Sequence, residues 1–173
     1  MAESDSPPER HASPFAAQSG RDSQLPFESF MNVVRDAPLI SIDLIVMNSQ
    51  GEALLGLRRN NPAAGFWFVP GGRVLKNETL DAAFGRLTLV ELGCSLARAS
   101  AQFHGVWEHF YDSNAGNKKG VGTHYVVLAY RVVIDEAELA LPLAVQHQQY
   151  RWEHPVSIST RDDVHPHSRA YFH

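Results

Sequence analysis

Glu91 is a carboxylate where a carboxylate is out of place. On a helical wheel of about 100° per residue, Leu80, Ala83, Phe84 and Leu87 form one apolar stripe, and Glu91 falls inside it. The last turn of a helix is also the end where the backbone dipole disfavours an anion. Burying this group alone would cost several kcal/mol or force it to take a proton. It therefore needs a cation, either an arginine or a divalent metal, which takes oxygen ligands and keeps waters that substrate phosphates can replace. The preceding Gly71 and Gly72 read as a turn with a free carbonyl, which favours the metal. Leu87 and Val90, on the same helix, read as extensions of the core stripe.

Other residues could do chemistry beside a metal. Asp43 interrupts the apolar strand "LISIDLIV", as a structural hydrogen-bonding group or as an active-site acid. Arg58 ends a strand and Arg73 follows the glycine pair. Guanidinium binds phosphate oxygens as a fork, so two arginines flanking a glycine turn and a metal-binding acid suit a diphosphate. His147 lies among Gln146, Gln148 and Gln149. Its unperturbed pKa suits a general base, although such a histidine also reads as a solvated surface residue. His109 and Tyr125 sit on predicted strands, where aromatic rings pack. His124, adjacent to Tyr125, points to the opposite face.

The elements that must position these groups are legible in outline. "FESFMNVVRDAP" (27–38) predicts a short helix stopped by Pro38. "LISIDLIVMN" (39–48) and "ALLGLR" (53–58) read as a hairpin around "SQGE". "FWFVP" (66–70) is a short strand, and a helix runs from about Thr79 to Leu92 with Gly93 past its end. Residues 102–112 and 123–134 read as strands joined by the polar "SNAGNKKGVG", either an idle hairpin loop or a mobile lid. "QHQQYRW" (146–152) leads into another strand, and "SRAYF" (168–172) suits a final helix. The pattern predicts an α/β fold with a mixed sheet between helices.

Composition narrows the function class. The 173 residues suit one domain, here residues 27–173, behind a Pro- and Ser-rich tail at 1–26 that reads as disordered. The net charge of −4 disfavours non-specific nucleic-acid binding. No apolar run reaches transmembrane length, and no secretory signal begins the chain. A single cysteine, Cys94, fits a reducing compartment, so a cytoplasmic location is expected.

The spacing G-x5-E-x7-R followed by E-x-G, carried by Gly72, Glu78, Arg86, Glu91 and Gly93, resembles the Nudix box. Leu87 and Val90 stand where two of its helix carboxylates belong, and Thr88 replaces an apolar residue. With "WFVPGGRV", "LTLVELG", "THYVVL", "QHQQYRW" and "SRAYF", the chain resembles the GDP-mannose mannosyl hydrolases, divergent Nudix members lacking the same carboxylates. That resemblance implies a Nudix fold and a homodimer. It implies hydrolysis of GDP-mannose, and of GDP-glucose, at the anomeric carbon. It assigns His147 as general base, and Gly71, Glu91 and Gln146 as ligands of one Mg²⁺, with Mn²⁺ as the alternative. Arg58 and Arg73 become leaving-group clamps, Asp43 an active-site acid, and His109 and Tyr125 substrate contacts. Glu78 and Arg86 are left a structural role. Two rivals stand beside this reading: a pyrophosphohydrolase attacking phosphorus, and a non-catalytic nucleotide-sugar sensor.

Overall fold

The computed structural model describes residues 25–142 and 147–173. The expected tail lies outside the described residues except for Leu25 and Pro26, and so does Gln146. Helix α1 (Phe27–Asp36) leads into β1 (Leu39–Met47), whose hairpin partner is β2 (Ala53–Arg58). Short strands β3 (Trp67–Phe68) and β4 (Gly71–Arg73) precede helix α2 (Leu80–Leu92). Strands β5 (Gln102–Tyr111), β6 (Thr123–Val133) and β7 (His147–Glu153) follow, then helices α3 (Pro155–Thr160) and α4 (Pro166–Arg169).

Among the described residues seven strands join in one mixed sheet, with the path β3-β2-β1-β6-β5, β4 on β1 and β7 on β2. β1 runs parallel to β6 and antiparallel to β2 and β4. Side chains alternate across a strand, which divides β1 between two cores. Ile42, Leu44 and Val46 pack with Phe84, Leu87 and Leu92 of α2. Ile45 and Met47 pack with Ile158, Val164 and Tyr171 of the C-terminal segment. Helices therefore cover both faces, which explains why β1 is almost continuously apolar.

β2 pairs with β1 only at the hairpin end, Met47↔Ala53. Farther along, β4 takes its place through Ser41↔Arg73, Ile42↔Gly72 and Asp43↔Gly71. The glycine pair is thus a strand, not the turn expected from sequence. The glycines serve close approach. A β-carbon at Gly71 would come within 2.5 Å of the Ile42 carbonyl oxygen, and one at Gly72 within 2.6 Å of Leu87 Cδ2. Glu78 and Arg86 hold this segment to α2. Arg86 donates to Glu78 (Nε–Oε1, 2.6 Å) and to the Arg73 carbonyl at 2.8 Å, and Glu78 accepts from Leu75 N–H.

Thr79 caps α2 by accepting from the Ala82 N–H, and Gly93 ends it at φ 75°. One expectation fails on this helix. Leu87 is 2% exposed, but Val90 is 43% exposed. The buried arc turns toward Thr88 and Leu92, where the Thr88 hydroxyl accepts from Leu96 N–H and so packs the following loop against the helix. Gly85 lies mid-helix, and a β-carbon there would meet Ser95 Oγ at 3.4 Å, an ordinary contact. Gly85→Ala should therefore raise stability by about 1 kcal/mol. A urea midpoint lower than wild type would show that the Ser95 loop cannot yield.

The 113–122 loop is built around Asn114, which is 1% exposed. Its amide donates to the Lys118 and Val121 carbonyls, and its oxygen accepts from the Gly116 and Lys118 N–H groups. No helix among the described residues is long and apolar enough to cross a membrane.

Candidate active site

A cavity of about 140 Å³ opens where β2 leaves β1. Asp43, Arg58, Gly71, Arg73, His109, Tyr125 and His147 all line it. The structure thus gathers seven residues chosen from sequence, drawn from β1, β2, β4, β5, β6 and β7. His124 faces away from it, stacked on Phe110 at 4.3 Å between ring centroids.

Two positive groups occupy one side. The Arg73 guanidinium lies 3.9 Å from the Phe30 ring centroid, and that of Arg58 lies 5.4 Å from Phe68. Neither has a carboxylate within salt-bridge distance among the described residues. Burial pushes the Arg73 pKa down from its ordinary value, but guanidinium remains charged at any physiological pH. Two unpaired guanidinium groups supported by aromatic rings and facing one cavity form an anion site.

Glu91 is 1% exposed and His147 3% exposed, and His147 Nε2 lies 3.1 Å from Glu91 Oε2. The partner of the stripe carboxylate in this structure is thus a histidine, where sequence suggested an arginine or a metal. His147 is not the solvated loop residue its glutamine neighbours suggested. It pairs with Arg58 at the start of β7. Its imidazole lies directly over Gly56, so closely that any β-carbon at position 56 would collide with the Nδ1 edge. Glu91 Oε1 and His147 Nδ1 are both buried without a hydrogen-bond partner.

These orphaned atoms test the fit of a metal. A buried carboxylate oxygen with no partner is costly, and a divalent cation would satisfy Glu91 Oε1. Among the described residues no three His, Cys, Asp or Glu side chains form a ready metal cluster. The ligand set expected here needs only one such side chain, Glu91, with carbonyl and amide oxygens from Gly71 and Gln146. Gly71 lines the cavity, and Gln146 lies outside the described residues. The donors present suit a hard cation such as Mg²⁺.

Asp43 is deeply buried, and its Oδ2 accepts from the Tyr171 hydroxyl at 2.8 Å. Burial pushes its pKa up to about 7; the Tyr171 bond and the Arg58 charge oppose this, and the nearby Glu91 adds to it. An unfolded aspartate titrates near about 3.9. Between these values the folded protein keeps a proton that the unfolded chain has lost, so metal-free stability should fall as pH rises through this window. The full penalty, about 4 kcal/mol, should be reached above about pH 8. Asp43→Asn should remove it. Urea midpoints of wild type and variant in chelator, compared from pH ~4 to ~8, should diverge as wild type weakens; parallel curves would refute the assignment.

Sequence reasoning missed Ser41, Phe68 and Tyr111, which also line the cavity, and the C-terminal residues behind it. Strand parity could have found Ser41 and Tyr111, which share faces with Asp43 and His109. His165, His167 and Tyr171 had no such signal. His167 stacks on His109 at 4.2 Å between centroids, and His165 packs against Phe68 and Tyr111. Burial, with the neighbouring His167 and His165, pushes the His109 pKa down to about 3, so this ring stays neutral.

Comparisons with known proteins agree with the architecture. The low-salt glycan biosynthesis protein Agl8 of Haloferax volcanii is 36% identical over 150 residues, covering 86% of this chain and 89% of its own. A MutT NUDIX hydrolase from Burkholderia pseudomallei superposes with TM-score 0.62 at 24% identity, over 79% of this chain and 97% of its own. The NUDIX domain of Shewanella oneidensis NrtR, in complex with ADP ribose, gives TM-score 0.58 at 14% identity, over 85% and 95% of the two chains. These two structures share the fold. The sequence profile of the NUDIX domain itself matches residues 37–173, from the first strand through the C-terminal helices. With that match spanning the mixed sheet, the helix bearing Glu91 and the whole cavity wall, the chain belongs to the Nudix family.

Proposed function

We propose that the protein hydrolyses GDP-mannose, and GDP-glucose, at the anomeric carbon of the sugar, releasing GDP and the free hexose with inversion. The observation that carries this reading is the depleted helix. Of the three family carboxylate positions on α2, Leu87 is core, Val90 is exposed and apolar, and only Glu91 remains, buried beside His147. Such a site suits one cation, and a departing nucleoside diphosphate needs only one cation with its arginines. Attack on phosphorus in this family draws on the missing carboxylates. The preference for guanine and for these hexoses comes from the family resemblance, and the glycan-biosynthesis name of the Haloferax relative is in keeping with it.

Bound Mg²⁺ would be held by Glu91, the Gly71 carbonyl and Gln146, and would supply charge neutralisation for the leaving diphosphate. Arg58 and Arg73 clamp the same diphosphate oxygens. His147, on the cavity wall, would accept the proton of the attacking water. His109 and Tyr125 contact the substrate, and Asp43 orients the reacting end. No carboxylate is assigned as a nucleophile, so one water attacks in a single displacement and the configuration inverts. The active species is a homodimer.

Hydrolysis in ¹⁸O-labelled water tests this directly. Label in the hexose supports the reading. Label in GMP or hexose 1-phosphate would make the protein a pyrophosphohydrolase, and Mg²⁺-dependent binding without turnover would make it a sensor.

A further inference from the structure

Tyr171 belongs to none of the roles above, yet its hydroxyl stands between two of them. It lies 2.8 Å from Asp43 Oδ2 and 3.2 Å from His109 Nε2. We propose that Tyr171 is a positioning residue of this site, bridging Asp43 and His109 so that His109 is held as its Nε2–H tautomer, with Nδ1 as the acceptor nitrogen. The proposal rests on the nucleotide-sugar reading of the cavity.

The hydrogen-bond arithmetic follows from the shorter of the two bonds, in which the Tyr171 hydroxyl donates to Asp43 Oδ2. A phenol carries one proton, and this bond uses it. Its oxygen must then accept from His109, which places the single proton of that neutral ring on Nε2. The other ring nitrogen, Nδ1, keeps its lone pair. A lone pair accepts from a sugar hydroxyl and offers nothing to a phosphate oxygen. The bridge therefore sorts the cavity walls chemically, with guanidinium groups for the diphosphate and an acceptor imidazole for the hexose.

Tyr171 is itself well anchored. It is 5% exposed, and its ring meets Trp107 edge-on at 4.9 Å between centroids. Three residues earlier the Ser168 hydroxyl accepts from Val69 N–H at 3.1 Å, docking the segment beside β3. His109 is fixed on its other side, flat against His167, whose Nε2 lies 3.1 Å from the Phe110 carbonyl. With both neighbours held, removal of one oxygen leaves His109 without the group that selects its tautomer.

The test is Tyr171→Phe in the full-length, Mg²⁺-loaded protein, read in two ways. Imidazole ¹⁵N shifts above neutral pH, with His109 assigned by its loss in His109→Gln, should show the Nε2–H form in wild type and a tautomer mixture in the variant. With GDP-mannose, kcat should fall about tenfold, the worth of one hydrogen bond, while KM changes less. An unchanged His109 spectrum, or a changed spectrum with unchanged kcat, would overturn the proposal. Should the variant fail to fold, the wild-type spectrum decides alone, because an Nδ1–H His109 contradicts the bridge. Should wild type fail to turn over nucleotide sugars, the functional reading falls and the tautomer comparison still decides the role of Tyr171.

Discussion

Glu91→Gln should abolish metal-dependent turnover, by about 10³-fold, while leaving the metal-free protein at least as stable as wild type. The two halves of this expectation have one cause. Glu91 is 1% exposed, stands in the last turn of α2 and has an oxygen with no partner. A neutral isostere removes a buried carboxylate with one unpartnered oxygen from the unfavourable end of a helix and keeps an oxygen for His147, which relieves the folded state. The same change removes the one side-chain carboxylate left to hold the cation, and with it several kcal/mol of transition-state stabilisation. Melting curves separate the effects. Saturating Mg²⁺ should raise the wild-type melting temperature by roughly 5–10 °C, as a ligand well above its dissociation constant does, and should leave Glu91→Gln unmoved. A variant that still responds to Mg²⁺ would place the cation elsewhere.

His147→Gln should give the complementary result. Turnover should drop by about 10²–10⁴-fold, the range for loss of a general base, while the Mg²⁺-induced rise in melting temperature persists. The structure makes this comparison sharper than sequence did. His147 Nε2 lies 3.1 Å from Glu91 Oε2, and glutamine at 147 can still donate to that carboxylate. Metal affinity should therefore be kept even though proton transfer is lost. Equal loss of turnover and of the Mg²⁺ response would mean that His147 acts by holding Glu91 and not as a base.

The parts of the fold that were legible carry their signals locally. The β1–β2 hairpin follows from a β-branched run and a turn, and α2 is bounded by a threonine cap and a left-handed glycine. Asp43 stood out because it is the one acid in an otherwise apolar run, "LISIDLIV". The failures share a different cause. Val90 sits at the margin of the stripe, and which margin is buried depends on how α2 rolls on the sheet. His147 looked solvated because its neighbours are glutamines, whereas its burial is set by Gly56 on a distant strand. The glycine pair looked like a turn because its reason, the close passage of β1 and Leu87, lies outside the stretch itself. Helix α3 had a proline at its first turn and a histidine cap, but six residues are too few for a periodic signal.

The bond between Asp43 and Tyr171 joins residues 128 positions apart, one on the first strand and the other just past α4. Every residue that lines the cavity falls between Ser41 and His147, so a growing chain presents all of them before it presents Tyr171. The Asp43–Tyr171 bond is therefore added to a cavity whose lining has already been synthesised.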